Sequence, residues 1–209
     1  IQIFGKSYIK VEGLTLRGFH AGVACKAPGH HVEIRGNVVE YNSEAGISST
    51  GTVSGSAQAC DYLLIENNVV RHNGYYTNGA VASGPGEGFG SGITINPQLN
   101  PYRFDGAGGY HTIVRGNTIY HNYDGTGGDQ DGSTADHTDG NGIIVDLGGS
   151  LPPLLIENNL IFNNGARCIH LLGAQNVWVV GNTCYQNNYD ALFPANQLRY
   201  MPEISAYSR

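Results

Sequence analysis

One short phrase recurs six times along the chain, and that recurrence constrains the fold more than any other feature. The copies are IKVEGL (9–14), VEIRGN (32–37), LLIENN (63–68), TIVRGN (112–117), LLIENN (154–159) and VWVVGN (177–182). Five of them end on an asparagine: Asn37, Asn68, Asn117, Asn159 and Asn182. In each of those five a second asparagine follows five residues later, at Asn42, Asn73, Asn122, Asn164 and Asn187. A glycine and a β-branched residue then open a third run, as in Gly22-Val23, Gly46-Ile47, Gly92-Ile93 and Gly142-Ile143. A phrase repeated at such intervals is one supersecondary unit that buries its apolar face only by stacking on its neighbours.

The columns of the repeat have physical assignments. Three residues before the first asparagine position stand Val11, Ile34, Ile65, Val114, Ile156 and Val179, a β-branched column that faces inward. Two residues before it stand Glu12, Arg35, Glu66, Arg115, Glu157 and Val180, with alternating sign over five copies. Stacked parallel strands lie about 4.8 Å apart, so this alternation brings opposite charges together. One residue before it stand Gly13, Gly36, Asn67, Gly116, Asn158 and Gly181, the residue types that enter the left-handed region most easily, so a fixed bend belongs there. Buried asparagines stacked in register satisfy one another along the axis, as amide ladders do in cross-β stacks.

Three short strands per turn, two asparagine corners and a shortest repeat of 23 residues resemble the right-handed parallel β-helix repeat family. That pectate-lyase-like superfamily includes pectate, alginate and chondroitin lyases, polygalacturonases and phage tailspikes. The resemblance covers about residues 8 to 193 and implies an all-β solenoid of about six coils, a single domain over residues 1–209. Ile1-Gln2-Ile3 reads as the tail of an earlier coil, so the expectation is a piece of a longer chain, starting and ending mid-coil.

Composition agrees. Only 13% of the residues are charged, and 31 of 209 are glycine, which favours turns over helices. The net charge of -6 disfavours nucleic acid and anionic membranes as partners, and no apolar run is long enough for a membrane span. Cys25 stands in an apolar column with Ile95, Val145 and Leu171, and Cys184 in one with Val39, Val70, Ile119 and Ile161. Buried thiols explain both, while a Cys25–Cys60 disulfide also fits, because Cys60 closes the next coil on the same side.

Function is expected where the repetition breaks, because insertions into a solenoid gather on one face. Successive first asparagines are 31, 49, 42 and 23 residues apart, so the middle coils carry the extra length. Insertions after Asn73 and after Asn122 leave the same corner of adjacent coils, and a third (96–110) leaves the other end of the third strand. Together they are expected to wall a cleft over the outward faces of the second and third strands. The second insertion holds Asp129, Asp131, Asp136 and Asp139, with Asp146 beyond it, and no Lys or Arg occurs between Arg115 and Arg167. Crowded carboxylates repel unless a cation or solvent screens them, so calcium and a solvated acidic loop are the two readings. His72 and His121 occupy one repeat position in adjacent coils and are the best-placed general bases, although the column also reads as a polar corner ladder with Tyr41, Asn163 and Gln186. Arg103 is the nearest cation for an acidic sugar. Tyr75, Tyr76 and Tyr102 offer rings for stacking on sugars, and Asn96 and His137 offer polar contacts.

The family resemblance implies secretion or display at the cell surface. It also implies β-elimination on an acidic, uronate-containing polysaccharide with calcium assistance. The chain departs from the family's known motifs: its three lysines (Lys6, Lys10, Lys26) stand in the first coils, and it has neither the Lys/Arg motif of alginate and chondroitin lyases nor the polygalacturonase aspartates. Hydrolysis by a carboxylate pair such as Asp139 and Asp146 is a further reading. The rival expectation is a non-catalytic β-helix module for glycan binding, adhesion or fibre structure. Open strand edges then keep homo-oligomeric or end-to-end association in view.

Overall fold

The computed structural model describes residues 1–26, 28–50, 60–74, 90–96, 109–123, 139–149, 152–188 and 202–207. All regular structure in these residues is β, in three parallel sheets of seven, six and six strands. The first sheet of each coil holds the repeated phrases: Ile9–Glu12, His30–Arg35, Asp61–Glu66, Thr112–Arg115, Leu154–Glu157 and Val177–Val180. The second holds Thr15–Arg17, Val38–Glu40, Val69–Arg71, Thr118–Tyr120, Leu160–Phe162 and Thr183–Tyr185. The third holds Gln2–Phe4, Val23–Lys26, Ile47–Thr50, Ile93–Asn96, Ile143–Gly149, Ile169–Ala174 and Ile204–Tyr207. Each strand pairs with its counterpart one coil away, never with its chain neighbour, and that is a parallel β-helix.

Alternation along each short strand builds the core. Ile34, Ile65, Val114 and Ile156 of the first sheet, Val39, Val70, Ile119 and Ile161 of the second, and Val23, Ile47, Ile93 and Ile143 of the third are fully buried. The bends between sheets come where the repeat places Gly and Asn, at positive φ: Gly13 69°, Gly36 59°, Asn67 55°, Gly116 63°, Asn158 53° and Gly181 64°. Both asparagine columns form continuous ladders. Asn37 Nδ2 donates to Asn68 Oδ1 (3.0 Å), Asn68 to Asn117 (3.0 Å), Asn117 to Asn159 (2.9 Å) and Asn159 to Asn182 (2.8 Å). The second ladder runs from Asn42 through Asn73, Asn122 and Asn164 to Asn187, with bonds of 2.8 to 2.9 Å. It ends on Glu203, whose carboxylate accepts from the backbone N (3.1 Å) and Nδ2 (2.8 Å) of Asn187.

The alternating charge column pairs as its register demands. Glu66 takes Arg35 Nε at 3.0 Å from one side and Arg115 Nε at 2.8 Å from the other, and Arg115 reaches Glu157 at 3.9 Å. These half-exposed pairs contribute little energy, but they remove what would otherwise be a repulsive stripe.

Two features lie beyond the repeat alignment. Ile204–Tyr207 pairs with Ile169–Ala174 as the third strand of the sixth coil, extending the solenoid past residue 193. All four cysteines are oxidised, as Cys25–Cys60 and Cys168–Cys184, so burial in apolar columns here accommodates disulfides rather than thiols. Among the described residues no helix is long and apolar enough to cross a membrane.

Candidate functional site

Glycines shape the corner between the second and third sheets. Gly92 packs against the second sheet so closely that a Cβ there would lie 2.6 Å from Ile119 Cγ2 and 2.9 Å from Asn122 Nδ2. Gly74, at φ +81°, and Gly90 touch each other and both abut the Tyr123 carbonyl, so residues 75–89 begin and end at one point of coil three. Residues 124–138 leave one coil further along, after Tyr123, whose N donates to Asn73 O (3.0 Å). They return at Asp139-Gly140, where Gly140 O accepts from Ala166 N (3.0 Å). Coil five passes the same corner by the short route Gly165-Ala166-Arg167.

Just before this corner runs a column at positive φ: Gly18 76°, Tyr41 53°, His72 54°, His121 53°, Asn163 53° and Gln186 48°. Left-handed backbone at Tyr and His is costly, and it persists because the next residue of each coil is locked in the asparagine ladder. The rings stack along the axis. Tyr41 and His72 lie 4.9 Å apart and nearly parallel, His72 and His121 lie 5.0 Å apart with a tilt of 55°, and the Arg17 guanidinium lies 5.2 Å from the centre of the Tyr41 ring. The sequence reading of paired imidazoles is therefore met as geometry. Burial lowers the His72 pKa, and His121 and Arg71 lower it further against the opposing pull of Glu40. Burial also lowers that of His121. Both rings are neutral at pH 7, with lone pairs available to accept a proton.

On the outward face of the third sheet, Ala24, Ser48, Ile144, His170 and Ser205 are buried although they point away from the core. His170 Nδ1 meets Ser205 Oγ at 2.7 Å, and the edge of Tyr207 packs 5.9 Å from the His170 ring centre. Burial first, and the positive charge of Arg167 second, hold the His170 pKa down at about 4. Asn96 and Asp146 align on this face too, since Ile95 pairs with Val145. They lie at its far edge. From Ile143 to Asp146 the strand covers about 10 Å, so Asp146 and Asp139 stand at opposite edges of the sheet.

Arg103, Tyr75, Tyr76, Tyr102, His137, Asp129, Asp131 and Asp136 lie outside the described residues. Of the carboxylates expected to hold calcium, Asp139 and Asp146 are the two described. Among the described residues the grouping with the right ligand atoms for a metal is Cys168, Cys184 and Glu203. Its cysteines are joined in a disulfide and its carboxylate caps the asparagine ladder.

The opposite corner, between the third and first sheets, carries a second ring ladder. Tyr8 stacks on His31 (4.9 Å), His31 on Tyr62 (4.5 Å) and Tyr62 on His111 (4.1 Å). His111 Nδ1 lies 3.1 Å from both carboxylate oxygens of Asp61, and both side chains are buried. Sequence reasoning missed this pair and also His170 and Arg167. The signal for the ladder was present, since Tyr8, His31, Tyr62 and His111 each stand six residues before the first asparagine position. Compared with family models, curated proteins and solved structures, the chain matches none.

Proposed function

We propose that this β-helix acts on an acidic, uronate-containing polysaccharide outside the cell, cutting it by β-elimination with His121 as the base. The single observation that carries the reading is the His72–His121 pair, stacked 5.0 Å apart at the corner from which the two longest insertions depart. A lyase needs a neutral base beside an open face, to remove the proton next to the uronate carboxyl group as a carbon–carbon double bond forms, the bond to the glycosidic oxygen breaks and water protonates that departing oxygen. Burial keeps both imidazoles unprotonated at neutral pH. His72, stacked between Tyr41 and His121, holds the ring of His121 in place. Two disulfides support an extracellular setting, because such bonds persist in oxidising compartments. No step is routed through calcium.

The test is release of the unsaturated uronate product, followed by its ultraviolet absorbance, from pectate, alginate, chondroitin and heparosan. Product is expected from at least one, with His121→Ala slowing release by about 10²- to 10⁴-fold and the fold intact. No product from any uronan would sink the lyase reading. A second reading, glycan binding without catalysis, is favoured by Trp178. It is exposed on the outward face of the first sheet, 5.5 Å from Tyr110 edge-on, away from the imidazoles. Retained binding of uronan without product would select it.

A further inference from the structure

Arg167 is the feature that neither the scaffold nor the imidazole pair accounts for. It lies on the short corner of coil five, between the coils that carry residues 124–138 and 189–201. Its Nε and Nη1 are buried and find no hydrogen-bond partner among the described residues. The Tyr207 ring centre lies 5.8 Å from its Cζ, and His170 beside it is neutral, so neither supplies a counter-charge. The nearby carboxylate of Glu203 is committed to the backbone N and Nδ2 of Asn187. A guanidinium whose Nε and Nη1 are buried, with no anion among the described residues, is expensive for a scaffold to keep.

A second unsatisfied group points the same way. Ser91 Oγ is buried and also lacks a hydrogen-bond partner among the described residues. Gly92 N donates to Asn141 O and Gly142 N to Arg167 O, so Ser91, Asn141 and Arg167 are stacked in consecutive coils. Ser91 and Arg167 are thus two coil steps apart, about 9.6 Å, along the direction in which a polymer would lie over the third sheet.

From this arrangement we infer that Arg167 is a carboxylate-binding residue, its guanidinium completed by the acidic group of a uronate held over the third sheet, with Ser91 Oγ bonding further along the same chain. The inference rests on the proposed acidic-polysaccharide reading and assigns it a recognition residue independent of the base. Arginine suits the task, because its planar fork matches a carboxylate and stays charged at any working pH. The same contact rejects a neutral sugar, which would leave the guanidinium buried and unpaired.

Calorimetric titration at low salt tests it, with oligogalacturonate and oligomannuronate as probes, each also in a form with its carboxyl groups reduced to alcohols. The parent should bind at least one acidic probe about 10- to 100-fold tighter than its reduced form, the span that a charge-assisted pair supports. Arg167→Gln should bring the acidic probe down to the reduced one and leave the reduced one unchanged, with Arg167→Lys recovering part of the loss. In the free protein Arg167→Met should raise the urea midpoint, whereas a structural arginine would lower it. Equal binding of acidic probes by parent and Arg167→Gln overturns the inference, and so does failure of the parent to bind either probe. Arg167-dependent binding without product sinks the lyase reading alone. Product release unaffected by Arg167→Gln sinks this inference alone.

Discussion

Replacing Asn122 by alanine removes one rung from the middle of a buried ladder, and the loss follows from its bonds. Asn122 Oδ1 accepts from Asn73 N (3.2 Å) and Asn73 Nδ2 (2.9 Å), while its Nδ2 donates to Val70 O, Tyr120 O and Asn164 Oδ1. Asn164 Oδ1 keeps a partner, the backbone N of Asn122 (3.1 Å). The backbone N–H of Asn73 does not, one N–H of its Nδ2 is also left without an acceptor while the other keeps Val39 O (3.1 Å), and Asn73 is fully buried. Each unsatisfied buried donor costs about 1–3 kcal/mol, so Asn122→Ala should destabilise by about 4 kcal/mol. Asn182 is the internal control. It accepts the same two bonds, from Asn159 N (3.0 Å) and Nδ2 (2.8 Å), but is itself only half-buried, so water replaces the lost acceptor. Asn182→Ala should therefore cost about 1 kcal/mol. Urea denaturation followed by circular dichroism measures both. Equal losses for the two variants, or a loss below about 1 kcal/mol at Asn122, would refute the claim that unsatisfied donors hold these corners. An aspartate at 122 adds a sign. It points a carboxylate oxygen at three acceptors, which raises its folded-state pKa above the unfolded value, so Asn122→Asp should gain stability as pH falls through that raised value towards the unfolded one.

Three further outcomes are expected. Cys168→Ser with Cys184→Ser should lower stability by about 3 kcal/mol, and Cys25→Ser with Cys60→Ser by about 4 kcal/mol, following loop spans of 16 and 35 residues. Unchanged urea midpoints would show that the bonds constrain nothing. For His170 the folded pKa of about 4 lies below the ordinary value of 6.5, so the unfolded chain binds the proton first. Stability should fall by about 3 kcal/mol as pH drops from 6.5 to 4, and His170→Gln should flatten that part of the profile, as denaturation midpoints at pH 7 and 4.5 would reveal. Calcium, if the aspartate-rich insertion binds it, should raise the melting temperature of the parent but not of Asp129→Asn/Asp131→Asn. Identical shifts in both would remove the metal from the account.

The scaffold was legible because stacking turns a sequence period into contacts. Glu66 meets Arg35 and Arg115 for the same reason that Asn122 meets Asn73 and Asn164: equal positions in the repeat become neighbours along the axis. His72 and His121 were found by that rule. His111 obeys it in its stack on Tyr62, and only the alignment's late start hid it. Its bond to Asp61 breaks the rule, because Asp61 stands one position earlier in its own coil.

The Cys168–Cys184 disulfide shows where the rule ends. Cys168 stands in the glycine column of Gly22, Gly46, Gly92 and Gly142, and Cys184 in the aliphatic column of Val39, Val70, Ile119 and Ile161. Those two columns press together in the coils below, so closely that Gly92 has no room for a Cβ beside Ile119. In coil five the contact that forbids a side chain is replaced by a covalent bond. Nothing in linear spacing states that these columns touch.

The sequence by itself therefore determined the coil: which residues turn, which fill the core and which repeat along the axis, all set locally by backbone preference and by the spacing of stacked strands. Tertiary structure alone decided which unlike columns meet across a coil. It joined Cys168 to Cys184, put Glu203 on the end of the Asn187 ladder, and left Arg167 beside His170 and Tyr207 without an anion among the described residues. Those meetings depend on the angles at three successive corners, which combine over a full turn before any two side chains touch, and no single stretch of sequence encodes their sum.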